Sequence, residues 1–121
     1  MGTIRNRMVI VHSFDLTVIQ ALRDDAIVYF QKVADQFPFM EFDVKNEMVS
    51  NIMAGFSNRE YTFVINGECS KLGWPESDVF QAAREEWCEQ HYFRADNILI
   101  VDFGEDQQAF VKEYKVLPID D

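Results

Sequence analysis

The side chains able to do chemistry are few and scattered. His12 and His91 can both titrate near neutral pH, and Cys69 and Cys88 supply the only thiols. Cys88-x-x-His91 with Glu85 sets three donors near one helix end, but zinc takes three or four ligands and a second Cys/His pair is missing, so no metal site is read. A nucleophilic Cys69 would need a histidine base and a third group to orient it, and no recognised motif surrounds it. It is read as a semi-exposed thiol. The carboxylates cluster as Asp24-Asp25, Glu85-Glu86, and Asp102 with Glu105-Asp106. Neighbours on a helix point apart, which makes the first two solvated faces rather than paired acids. The third falls on a hairpin turn, where acidic residues serve the turn itself. Phosphate-binding glycine motifs are absent, so no catalytic residue and no cofactor is expected.

These residues must be carried by one domain spanning 1–121, since the length fits a single average domain with one core. Hydrophobic residues make up 48% and aromatic residues 14%, too much buried-type surface for a disordered chain despite a net charge of −10. The charge is uneven. Residues 1–67 hold eight acids against six bases, whereas residues 68–121 hold thirteen against five. Such a field repels nucleic-acid backbones and anionic lipid and favours basic protein surfaces. Direct nucleic-acid binding is therefore not expected. The apolar runs Met8 to Val11 and Ile98 to Val101 are four residues and no run exceeds the five of Ala26 to Phe30, against about twenty for a membrane span. Arg5 and Arg7 precede the first run, but His12, Ser13 and Asp15 end it too early for a signal peptide, so it reads as a retained first strand in a cytoplasmic protein. C-x-x-C is absent and reduced thiols are expected.

Arg7 to His12 reads as a strand. Ile19, Leu22, Ala26, Phe30, Val33 and Phe37 then recur at steps of three and four, predicting a helix from Asp15 to Phe37 with Ser13 or Asp15 as cap and Pro38 as stop. Phe39 to Asn58 is ambiguous and leans to a strand at Met48 to Ala54. Glu60 to Ile65 is rich in β-prone residues, and Asn66-Gly67 supplies positive backbone dihedrals for a turn. A second helix is predicted from Pro75 to Gln90, with Phe80, Ala83, Trp87 and Cys88 inward and Gln81, Arg84, Glu85 and Glu89 in water. Asn97 to Phe103 and Ala109 to Val116 form a closing hairpin. The order β-α-β-β-α-β-β is that of an α+β, ferredoxin-like (split β-α-β) sheet with two helices on one face and an extra C-terminal strand.

His12-Ser13-Phe14, Ala21 to Ile27, the run GECSKLGWPESD from Gly67 to Asp78, Arg84 to Trp87 and VDFGED from Val101 to Asp106 together resemble a family of small acidic bacteriophage and prophage proteins. The stretch from Phe37 to Val49 departs from that pattern by its length. The resemblance implies bacterial cytoplasm as the setting and carries no catalytic residues. Small size and acidity then suggest a non-catalytic accessory protein that binds and modulates a host or phage protein. The expected binding surface combines Trp74, Glu76 and Asp78 with Asp102, Glu105 and Asp106 on the closing turn, since tryptophan anchors hot spots and acids complement a basic partner. Trp74 has a second reading, a lid over the second helix. Two other classes stay open: a DNA mimic, whose acids would have to approach one charge per about 1.7 Å, and a Cys69-dependent enzyme.

Overall fold

The computed structural model describes residues 5–67, 74–104 and 108–115. Strand β1 (Arg5–Ser13) leads into helix α1 (Leu16–Ala34), followed by a 3-10 turn (Pro38–Met40), a π-helical turn (Val44–Met48), and strands β2 (Met53–Ala54) and β3 (Tyr61–Ile65). Helix α2 (Pro75–His91), a 3-10 turn (Tyr92–Arg94), β4 (Asn97–Gly104) and β5 (Phe110–Tyr114) complete the order. The sheet runs β2-β3-β1-β4-β5 with every pair antiparallel. No described helix is long and apolar enough to cross a membrane.

Residues directly opposite in an antiparallel ladder share a face. Val9 faces Ile65 on one side and Ile100 on the other, and Val11 faces Phe63 and Ile98. All six are buried, and they pack with Ile19, Leu22 and Phe30 of α1 and Phe80 and Trp87 of α2 in one core. Both helices therefore lie on the same side of the sheet. Asp15 anchors the start of α1, its carboxylate accepting from the amides of Thr17 and Val18 at 2.9 and 3.2 Å. The predicted stripe Ile19, Leu22, Ala26, Phe30 and Val33 is the buried one. The helix ends at Ala34 rather than at Phe37, which turns away and packs its ring 5.8 Å from that of Phe80.

Three local readings are corrected. The strand expected at Met48 to Ala54 shortens to Met53–Ala54, because the preceding residues wind into the π turn, whose start Asp43 caps through Asn46 N. Val49 then bridges Ile65, and Ser50 breaks the ladder: its amide donates to Val64 O at 2.9 Å while its hydroxyl accepts from Val64 N at 2.8 Å, the place of a main-chain carbonyl. Asn66 does not have a positive φ, since Glu41 is the one such non-glycine residue among those described. Gly67 is needed for close approach instead: a Cβ there would lie 2.7 Å from the Arg7 nitrogen and carbonyl carbon. Arg84, expected in water, is buried at 1% exposure and donates to Asn66 O at 3.3 Å.

Phe30 and Val28 test this packing from one helix. Phe30 is fully buried and Val28 is exposed. Phe30→Ala should cost about 3–5 kcal/mol and Val28→Ala less than about 0.5 kcal/mol in urea unfolding. Comparable losses would contradict the assigned inward face.

Candidate functional site

Three features stand out from the framework. The first is the corner where α2 begins. Trp74 occupies the N-cap position and is 48% exposed, and Asp78 N donates to Trp74 O at 3.1 Å. Glu76 is half-buried and Asp78 exposed, both in the first turn, where carboxylates complement the helix dipole. Ser77, in the same turn, is buried. Trp74 and Asp78 are therefore one helical turn apart, with Glu76 between them in sequence.

The second is a buried charge cluster that takes Asp102 out of the expected acidic turn. Asp102 is only 2% exposed: it sits inside β4 opposite Arg7, on the helix-facing side with Ile98 and Ile100. One carboxylate oxygen accepts from Arg5 Nη2 and the other from Arg7 Nε at 2.9 Å, while Arg7 Nη1 reaches Glu85 at 3.2 Å. The alternation Ile98, Ile100, Asp102 sends it inward with its strand, and burial is tolerated because two guanidiniums meet it there. Asp102 cannot join a projecting binding surface. Glu105, Asp106 and Cys69 lie outside the described residues.

The third feature is the sheet face opposite the helices, which sequence reading did not single out. Met8, Ile10, Val64, Leu99 and Val101 are half-buried there, and Phe103 and Val111 are exposed at 38% and 60%. A polar row closes one end of it. His12 contacts Asn97 Oδ1 through Nδ1 at 2.8 Å and Glu60 through Nε2 at 2.9 Å, Asn97 Nδ2 donates to Glu113 at 2.9 Å, and Lys115 pairs with Glu113 at 3.1 Å. Glu113 fixes the Asn97 amide, so both His12 nitrogens meet acceptor oxygens. Hydrogen bonds from Asn97 and Lys115 hold the exposed Glu113 carboxyl below its ordinary range.

Elsewhere, the reactive groups are quiet. Burial, reinforced by Glu85, pushes the Cys88 thiol up to about 12, leaving almost no thiolate near neutrality. Among the described residues, no group of three or more His, Cys, Asp or Glu side chains could hold a metal ion. Tyr29 is likewise raised to about 12 by burial and its hydrogen bond to Glu86. No protein-family model matches the chain, and neither curated proteins nor solved structures yield a match.

Two outcomes follow from the charged groups. Asp102→Asn leaves the buried Arg5 without its counter-charge and should cost about 3–5 kcal/mol, measured by urea unfolding; a loss below about 1 kcal/mol would show the pair to be solvated. His91 is pressed below its ordinary value of 6.5, first by burial and then by Arg94, which donates to its Nδ1 at 2.9 Å. The unfolded chain therefore takes up this proton more readily, and the His91 contribution, complete above about pH 6.5, is lost as pH falls. Wild type should lose more stability on acidification than His91→Gln. Parallel pH profiles would contradict this.

Proposed function

We propose that this chain is a small acidic accessory protein of the bacteriophage or prophage type, working in the bacterial cytoplasm and acting by binding a host or phage protein rather than by catalysis. The observation that carries it is Trp74: a large ring left half exposed at the start of a helix, with Glu76 and Asp78 beside it. An exposed tryptophan gives up apolar area that a partner can bury, and the flanking carboxylates favour a basic pocket around it. The run of residues that resembles phage proteins ends at Asp78 and supports the setting. The fold, in this reading, is ferredoxin-like: β1 between β3 and β4, with β2 beyond β3, supports the split β-α-β arrangement, and β5 is the addition.

The DNA-mimic reading is weakened by the pairing of its acids. Asp102, Glu85 and Glu113 in the acidic half each meet an arginine or lysine of the same chain, which leaves fewer free charges to imitate a phosphate array.

Affinity capture from bacterial lysate, followed by titration of the recovered protein, tests the proposal. Trp74→Ala should weaken binding by about 2 kcal/mol, roughly 30-fold, with little change in thermal midpoint, and Glu76→Gln/Asp78→Asn should reduce the salt dependence. A partner bound equally by all variants would move the binding surface away from this corner, and the absence of any saturable protein partner would overturn the proposal.

A further inference from the structure

The sheet face turned away from the helices is a second surface, independent of the Trp74 corner. Its strand positions put Ile10, Val64, Leu99, Val101, Phe103 and Val111 side by side across four strands; none of them belongs to the core under the helices, and the π turn borders the Val64 end of the face. The ionisable residues at described strand positions on this face are His12 and Glu113, both in the polar row at one end. The middle of the face is uncharged on a chain of net charge −10. A basic partner is drawn to the acids elsewhere, whereas what matches a flat, neutral, apolar face is another of its kind.

We infer that this face takes a second copy of the same chain, in a two-fold, sheet-to-sheet dimer. Size decides between occupants. Strands spaced about 4.8 Å apart and side chains repeating every two residues give the face a footprint of roughly 20 Å by 20 Å, about 400 Å². A single helix, about 10 Å wide, covers half of it. An identical sheet covers all of it, with inner side chains interdigitating across about 10 Å as in aligned sheet packing. Two such footprints together, about 800 Å², fall short of the roughly 1,200 Å² at which standard specific interfaces begin, so the dimer is weak and reversible. A two-fold contact is self-complementary, so one uncharged patch meets its own image while the acidic surfaces stay outside.

The charge outside the interface sets the sign of the salt effect. Two copies of net charge −10 repel at long range, so screening strengthens the dimer. Binding of a basic partner at the Trp74 corner weakens with salt, which separates the two surfaces.

Sedimentation velocity over a micromolar to sub-millimolar series, at low and high salt, reads this out. The test variant is Leu99→Thr/Val101→Thr/Val111→Thr, which keeps strand-forming residues and the net charge; Val111→Thr alone, at an exposed position, serves should the triple variant fail to fold. Wild type should pass from monomer to dimer across the series, with the transition moving to lower concentration in salt. The triple variant should dimerise at least tenfold more weakly, or Val111→Thr measurably more weakly, while Trp74→Ala dimerises as wild type does. A wild-type chain that stays monomeric throughout, a dimer that salt dissolves, or one that the face substitutions leave unchanged overturns the inference.

Discussion

One strand decides where almost everything in this molecule points. β1 is paired along both edges, to β3 and to β4, and both helices cover the same side of the sheet it centres. Parity along β1 therefore sorts the chain. The odd positions Arg5, Arg7, Val9, Val11 and Ser13 look toward the helices, and the even positions Met8, Ile10 and His12 look the other way. The same parity, carried across the ladders, buries Ile65, Ile98 and Ile100 and leaves Val64, Leu99 and Val101 on the uncovered face. A one-residue slip would exchange the core with that face and put Asp102 in water without its arginines.

Charge is distributed by the same rule. The sequence groups Asp102 with Glu105 and Asp106, but inward parity takes Asp102 into a cluster with Arg5 and Arg7, and Glu85 joins it from α2. Asp25 pairs with Arg94 at 2.6 Å, tying α1 to the turn after α2. The surface proposed for a partner is more local than the net charge implies: the Trp74 corner with Glu76 and Asp78. The uncovered sheet face is neutral by comparison, and the two surfaces call for partners of different chemistry.

Helix α1 was legible because a stripe of buried residues at steps of three and four has one reading, and an aspartate stands where its amides need a cap. The strands were legible from their β-rich runs. The stretch from Phe39 to Asn58 was not, since its apolar residues fit two periods and the outcome rested on tertiary contacts, such as Ser50 lending its hydroxyl to Val64. Arg84 was assigned to water on its charge alone, although it lies seven residues after buried Ser77, on the same helical face. Asp102 was misassigned for a related reason: it was grouped with Glu105 and Asp106 as a turn, when its spacing from Ile98 and Ile100 marks it as inward. The uncovered face was missed because an apolar run such as Ile98 to Val101 reads as buried on both sides; only the position of the helices shows that one side is left open.

The most direct test of that asymmetry compares neighbours within β4. In methyl NMR spectra of the dilute protein with a soluble paramagnetic probe, Leu99 and Val101 should relax strongly and Ile98 and Ile100 weakly, and concentrating the protein should protect Leu99 and Val101 alone. Equal protection of all four methyl-bearing residues in dilute solution would contradict an uncovered sheet face.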